Sequence, residues 1–244
     1  MPIDRRAFLA GAGATMAIPG ATLATIAGPA PQRLFAATAM KNNIIANRFE
    51  AADMALPAIK LSDGKDVVRL DSLTGKTRIV TLWAEWCTPC LVEARDFAAL
   101  RRRYAGADFD IVSVLTGSIQ GLDFTRALAR LQQSGVDGLP LLVEPHGGKR
   151  VMEKLSVNAD GRGASLPCTL LVDRRGRIRA RARGAPMDVD PTRAPPAPGG
   201  KPVIRILTEA DKRALLTNGT HTLWGGAAGD AFAGALQKGL LDQV

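Results

Sequence analysis

Cysteine, histidine and aromatic residues are all scarce in this sequence of 244 residues. There are three cysteines, and an odd number makes a framework of structural disulfides a poor explanation for them. The two histidines, His146 and His221, lack the spacing to the cysteines that a four-ligand structural zinc site requires, so no such zinc site is predicted. Aromatic residues make up only 5% of the chain, so aliphatic side chains must supply most of the core.

Beyond residue 40, no apolar run is long enough to cross a membrane. The first 39 residues are different in character. Arg5 and Arg6 directly precede a segment, residues 7–32, that contains no charged residue, which is typical of a twin-arginine export signal. Small residues at positions 37–39 would form a cleavage site, so we expect a periplasmic protein. An uncleaved signal that anchors the chain in the inner membrane is the alternative.

Acidic residues are outnumbered by basic ones, 23 to 32, giving a net charge of +9. This charge would favour acidic partners or anionic lipid headgroups, whereas nucleic acid is not expected as a partner of an exported protein. Arginines at every second position of residues 177–183 alternate with Ile178, Ala180 and Ala182. A period of two predicts a half-buried strand whose arginines face solvent, in preference to a docking surface.

Strand and helix patterns alternate along the remainder of the chain. Residues 58–61 and 67–70 flank an Asp63-Gly64 turn and predict an N-terminal β-hairpin, preceded by a linker over residues 40–57. Strands are predicted at 78–83, 108–115, 141–144 and 169–172, and helices at 91–104, 122–133 and 230–241. This alternation indicates an α/β layer structure over residues 58–244. Residues 184–216 are rich in Pro and Gly and predict an irregular insertion that ends in a short helix.

The sequence Trp86-Cys87-Thr88-Pro89-Cys90 lies between a predicted buried strand and a helix. Unpaired N–H groups at a helix N-terminus stabilise a thiolate, so Cys87 is expected to be exposed there with a lowered pKa. Cys90, one turn further on, could then attack Cys87 to resolve a mixed disulfide. Pro89 is compatible with a first helical turn because that position needs no N–H donor. The pattern indicates thiol–disulfide exchange.

Glu93 follows Cys90 by three residues and would share its helix face. A carboxylate buried on that face would bind its proton more tightly, and it could then accept the proton of the resolving thiol. The alternative is an ordinary first-turn acid favoured by the helix dipole. The sequence alone leaves both open.

Leu166-Pro167-Cys168 directly precedes a predicted strand. A proline at such a position can be cis, which would expose the backbone of Leu166 for pairing with an extended peptide. Cys168 has two interpretations: a small buried core thiol, or a third redox thiol or soft metal ligand near the dithiol.

These segments together resemble the thioredoxin superfamily, and within it the TlpA-like disulfide reductases of the ResA and DsbE type. The resemblance covers about residues 58–183 and depends on the motif at 82–90, on Glu93, and on Leu166-Pro167 before the strand. It implies a central mixed β-sheet flanked by helices and a cis-Pro167 beside the dithiol. It also implies that Trp86, Thr88, Pro89, Leu166 and Pro167 contact the substrate.

The resemblance further implies a periplasmic reductase of disulfide-containing partner proteins, for example apocytochrome c or copper-site proteins. Its electrons would come from a membrane thiol donor that the sequence does not identify, and it would need no cofactor beyond its own disulfide. Three features depart from the pattern: Thr81 stands where cytoplasmic thioredoxins carry a buried aspartate, Cys168 stands where threonine is usual, and residues 184–216 form an insertion before the last helix. Glu93 would therefore have to serve any proton role.

Two alternative functions remain open at this stage. The same dithiol could act as an oxidase, because direction depends on its reduction potential. Alternatively, Cys87, Cys90 and Cys168 could bind Cu(I) as a periplasmic carrier.

Overall fold

The computed structural model describes residues 40, 42–145, 149–155, 165–186, 193–194, 203–204, 208–217 and 221–243. The expected export signal, residues 1–39, lies outside this part of the chain. The strands are β1 (Glu50–Ala55), β2 (Lys60–Ser62), β3 (Val67–Arg69), β4 (Thr77–Ala84), β5 (Phe109–Gly117), β6 (Leu141–Val143), β7 (Cys168–Val172), β8 (Arg177–Arg183), β9 (Arg193–Ala194) and β10 (Val203–Ile204). The helices are α1 (Thr88–Tyr104), α2 (Phe124–Gln133), α3 (Lys149–Leu155), α4 (Glu209–Thr217) and α5 (Ala227–Gln237).

Eight strands form one mixed sheet in the order β1-β8-β7-β4-β5-β6-β2-β3. The central strands β4, β5 and β6 are parallel, and β7 lies antiparallel beside β4. Both β4 and β7 are buried almost throughout, as expected for strands covered on both faces. The structure therefore confirms the predicted α/β, thioredoxin-like fold.

The predicted N-terminal hairpin is β2 paired with β3. Its turn is fixed by Asp63, whose carboxylate accepts hydrogen bonds from the backbone N–H groups of Lys65 and Asp66. Gly64 has φ of 92°, a conformation that costs little only for glycine. The structure thus confirms the hairpin and the Asp63-Gly64 turn that the sequence predicts.

The segment predicted as a linker, residues 40–57, contains an ordered strand. β1 lies at the edge of the sheet and pairs antiparallel with β8, while Ile45 and Phe49 just before it are each 1% exposed. Acidic side chains of β1 also neutralise the arginine face of β8: Arg177 lies 2.8 Å from Asp53 and Arg183 lies 3.1 Å from Glu50. The linker prediction is wrong because β1 has no apolar alternation to mark it: five of its six residues are exposed.

Each face of the sheet carries its own hydrophobic cluster. Helices α1, α2 and α5 cover one face, and their buried residues include Leu91, Phe97, Leu131 and Phe232. Helix α3 covers the other face through Val151 and Leu155. No helix in the described residues is long and apolar enough to span a bilayer.

The described part of the chain's end contains both predicted helices and adds a short strand pair. Within the predicted irregular insertion, 184–216, the described residues include the β9–β10 pair and most of α4. The predicted terminal helix is α5 followed by a 3₁₀ turn, Leu240–Gln243. Its predicted apolar stripe is buried: Phe232, Leu236 and Leu240 are 0%, 0% and 6% exposed. A second 3₁₀ turn, Leu223–Gly225, precedes α5.

Candidate active site

The Cys87–Cys90 disulfide lies where β4 ends and α1 begins. Cys87 is the residue that caps α1, and the helix starts at Thr88, three residues earlier than predicted. The backbone N–H groups of Cys90 and Leu91 both donate to the carbonyl of Cys87. Pro89 falls in the first turn, where its missing N–H costs no helical hydrogen bond. Both sulfurs therefore belong to the first turn of one long helix.

Cys87 is not exposed, contrary to the expectation from its place at a helix terminus. In the disulfide form Cys87 is 6% exposed and Cys90 is 2% exposed. Both belong to the hydrophobic cluster that also contains Trp83 and Leu91. Their covalent bond draws the two side chains together against these apolar neighbours. Cys87 is still the more accessible of the two.

Trp86 is the exposed side chain of this loop, with 52% of its surface open. Its neighbour Glu85 accepts hydrogen bonds from Ser118 at 2.6 Å and from Arg126 at 3.1 Å, and these bonds fix the loop to the segment between β5 and α2. A groove of about 380 Å³ runs beside Trp86 and is bordered by Ile119 and Arg130. Ile119 is 86% exposed, so this edge presents apolar surface to solvent.

The Leu166–Pro167 peptide bond is cis, which confirms the isomer that the family resemblance implied. Pro167 directly precedes β7, whose first residue, Cys168, pairs with Leu82 near the end of β4. This register places Pro167 at the edge of the sheet from which the dithiol loop departs. Leu166 packs against the same hydrophobic cluster as Cys87 and Cys90. The proline and the dithiol therefore share one end of the sheet.

Glu93 is buried, with 1% of its surface exposed, one turn after Cys90 on α1. Its Oε1 accepts a hydrogen bond from Trp224 Nε1 at 3.0 Å, and its Oε2 lies 3.3 Å from the Thr81 hydroxyl. Burial raises the pKa of Glu93 from 4.5 to about 8, although both hydrogen bonds lower it. Because α1 has no acid in its first turn, a helix-dipole role does not explain Glu93. Thr81, the residue that departs from the cytoplasmic pattern, directly contacts it.

Sequence reasoning missed Trp224 and Asp96. Asp96 is three residues after Glu93 on α1 and 2% exposed, and its Oδ2 accepts hydrogen bonds from the backbone N–H and the hydroxyl of Thr222. His221 Nδ1 lies 2.6 Å from Asp96 Oδ1. Trp224 is 131 residues from Glu93, and no local pattern signals a partner at that distance.

Cys168 lies on the opposite face of the sheet from the dithiol. It belongs to the cluster beneath α3, and its thiol contacts the carbonyl of Leu155 at 3.7 Å. Burial raises the pKa of this thiol to about 12, so it is a weak nucleophile and a poor metal ligand at neutral pH. The structure therefore favours the interpretation of Cys168 as a small buried core thiol over a third redox thiol or a copper ligand beside Cys87 and Cys90. The sheet separates them.

Metal-binding geometry is absent from the part of the chain that the structure describes. No group of three or more His, Cys, Asp or Glu side chains is gathered there. Of the two histidines, His221 is engaged with Asp96, and His146 lies outside the described residues.

Comparison with known proteins identifies a family to which this chain belongs. A model of the AhpC/TSA family matches residues 50–181. The match begins at the first residue of β1, includes the dithiol, Glu93 and Pro167, and ends within β8. It therefore covers more than half of the chain and most of the strands of the large sheet.

Several solved structures are similar to this chain. A protein described as the thiol:disulfide interchange protein DsbE of Chlorobium tepidum is 20% identical over 67% of this chain and 91% of its own, with a TM-score of 0.44. The exposed lipoprotein thioredoxin of Streptococcus pneumoniae is 25% identical over 53% of this chain and 87% of its own, with a TM-score of 0.37. StoA of Bacillus subtilis is 18% identical over 55% of this chain and 89% of its own, with a TM-score of 0.39.

Proposed function

This chain belongs to the AhpC/TSA family, and we propose that it is a thioredoxin-like thiol–disulfide oxidoreductase that reduces the disulfides of exported partner proteins. Cys87 attacks one sulfur of the partner disulfide, forms a mixed disulfide and displaces the other sulfur as a thiolate. Cys90 then attacks Cys87, which releases the reduced partner and leaves the Cys87–Cys90 disulfide. Two electrons pass to the partner in each cycle. A thiol donor at the membrane returns them.

The proton chemistry of this cycle assigns a role to Glu93. Cys90 must lose its proton before it can attack, and it is only 2% exposed, so bulk water is a poor acceptor. The carboxylate of Glu93, one turn further along α1, takes that proton. A pKa of about 8 lets Glu93 exchange protons near neutral pH.

The burial of the dithiol is the observation that supports the reducing direction. A thiolate in apolar surroundings is destabilised, and both sulfurs belong to a hydrophobic cluster. Strong oxidants of this chemistry owe their potential to a stabilised reduced form. Here the reduced form is disfavoured, so electrons leave the protein readily.

The partner would bind along the apolar edge that surrounds the dithiol. Trp86 and the adjacent groove offer exposed apolar surface. Of the two residues between the sulfurs, Pro89 is partly exposed and could contact the partner, whereas Thr88 is buried in the disulfide form. The backbone of Leu166, before cis-Pro167, would pair with an extended segment of the partner. The resemblance to TlpA-like reductases makes apocytochrome c and copper-site proteins candidate partners.

The reduction potential of the dithiol tests the direction of electron flow. Equilibration of the purified protein with glutathione buffers should give a potential more negative than about −240 mV, and the reduced protein should reduce insulin disulfides. A potential near about −120 mV, together with oxidation of reduced substrate proteins, would show that the protein is an oxidase. The Cys168→Ser variant serves as a control, since its thiol lies across the sheet.

Export through the twin-arginine pathway would place the dithiol in an oxidising compartment. Arg5 and Arg6 before an uncharged segment support this proposal. Expression of the full chain should yield a periplasmic protein whose N-terminus is Met40. Replacement of both arginines by lysine should retain the uncleaved chain in the cytoplasm. An unchanged distribution of the double variant, or a full-length protein in the membrane fraction, would contradict cleaved twin-arginine export.

A further inference from the structure

Trp224 reaches the active site from the far end of the chain. Its ring is 1% exposed and packs against Phe97 of α1, with the ring centroids 4.9 Å apart. Phe232 of α5 lies against it at 5.8 Å. The indole N–H then has one partner, Glu93 Oε1, at 3.0 Å. The ring is therefore held by packing, and its single polar atom is aimed at the buried carboxylate.

An indole N–H can only donate a hydrogen bond, and this fact decides how Glu93 is protonated. Oε1 must act as an acceptor whether Glu93 is charged or neutral. A proton on Glu93 therefore resides on Oε2, next to the Thr81 hydroxyl, which can donate to a carboxylate and accept from a carboxylic acid. The two oxygens of Glu93 are thus not equivalent.

We propose that Trp224 is a positioning residue for thiol–disulfide exchange, because it fixes Oε1 of Glu93 as an acceptor and leaves Oε2 to take the proton of Cys90. The inference rests on the proposed role of Glu93 in that reaction. In the resolving step, the proton of the Cys90 thiol passes to Oε2. The resulting thiolate forms a bond to Cys87 sulfur, and the bond from Cys87 to the partner breaks with the electron pair on the partner sulfur.

Asp96, on the same helix as Glu93, holds the turn that carries Trp224 in place. It accepts two hydrogen bonds from Thr222, and the Thr222 hydroxyl in turn accepts one from the backbone N–H of Trp224 at 3.2 Å. The 3₁₀ turn that carries Trp224 is therefore anchored to α1 one turn beyond Glu93. A side chain at Gly225 would come within 2.7 Å of Asp96 Oδ1, so this close approach requires glycine.

Other charged or titratable groups also face Glu93. Asp96 on α1 opposes its ionisation, whereas Arg48, in the turn before β1, favours it. The Cys168 thiol interacts with it through the sheet, and the dithiol lies on its own helix. His221 contacts Asp96, the next acid along α1. A test of Trp224 must therefore leave all of these groups in place.

Replacement of Trp224 by Phe removes the N–H donor and leaves most of the ring. The carboxylate of Glu93 then loses a hydrogen bond to its charged form, so the midpoint of its titration should rise by about one pH unit or more. The C=O stretch of the protonated carboxyl, followed by infrared difference spectroscopy with Glu93→Gln as the blank, measures this midpoint directly. The pH at which resolution of the mixed disulfide reaches half its maximal rate should rise with it.

Trp83→Phe is the matched control. Trp83 is as buried as Trp224, but among the described residues its indole nitrogen has no hydrogen-bond partner, so the titration of Glu93 should not change. If Trp224→Phe fails to fold, benzothienylalanine at position 224 replaces the N–H by sulfur with the ring size kept, and it should give the same upward shift. An unchanged midpoint in a folded protein without the donor would overturn the inference. Because the spectrum reports Glu93 without turnover, this outcome is distinct from failure of the reductase proposal.

Discussion

A Cys90→Ser variant is expected to accumulate as a mixed disulfide with its partner through Cys87. The physical reason is the order of the two sulfurs in the first turn of α1. Cys87 caps the helix and is the more accessible of the pair, whereas Cys90 is almost completely buried behind it. A partner disulfide can therefore approach Cys87, and without the Cys90 thiol nothing inside the protein breaks the new bond.

Turnover should fall to the background rate in both single variants, but only Cys90→Ser should trap a partner. Cys87→Ser leaves Cys90 too deep to attack a large substrate, so it should give no adduct. The measurement is non-reducing electrophoresis of cells that express each variant, followed by mass spectrometry of the adducts. Cys168→Ser is the control, since its hydroxyl can still donate to Leu155 and should leave turnover unchanged. Adducts that form through Cys90 in the Cys87→Ser variant would contradict the assignment.

The dithiol and its helix could be predicted because their signals are local. A C-x-x-C pair between a buried strand and a helix, and Glu93 one helical turn later, are both readable within seven residues. The structure shows that Glu93 is buried, which decides between the two interpretations that the sequence left open, and it confirms the cis-Pro167 that the family resemblance implied. Helical periodicity predicts only that Glu93 shares a helix face with Cys90, and a proline before a strand makes a cis bond only possible.

The rest of the site could not be predicted because it depends on distant contacts. Trp224 and Thr222 reach α1 from more than 120 residues away, and neither stands in a recognisable pattern. The exposure of Cys87 was predicted wrongly because its position at a helix terminus does not determine which side chains pack against the disulfide. The opposite placement of Cys168 follows from strand register: Cys168 and Thr169 are adjacent but project to opposite faces of β7.

Glu93→Gln is expected to make the oxidised protein more stable in alkaline solution. The folded protein raises the pKa of Glu93 from 4.5 to about 8, so folding is fully favoured by this group below about pH 4.5. Between pH 4.5 and pH 8, Glu93 loses its proton in the unfolded chain but keeps it in the folded protein. Stability therefore falls across this interval, and the loss is complete above pH 8. Its upper limit, for a pKa shift from 4.5 to about 8, is on the order of 5 kcal/mol.

Glutamine keeps the same shape and the same two contacts without an ionisable group. Its carbonyl oxygen can accept from Trp224, and its amide can donate to Thr81. Urea unfolding at pH 5 and pH 9 should therefore give similar free energies of unfolding for the two proteins at pH 5 and a more stable variant at pH 9. Glu153→Gln, which alters an exposed glutamate on α3, should follow the wild type at both pH values.

The difference between the two proteins isolates Glu93, because every other titrating group is shared and cancels. Parallel stability curves from pH 5 to 9 would show that Glu93 ionises normally in the folded state, and its proton role would then have no basis. If the variant's free energy of unfolding increasingly exceeds that of the wild type towards pH 9, the buried acid lowers the stability of the wild-type protein. Such a cost is reasonable for a group that must bind and release the proton of Cys90 near neutral pH.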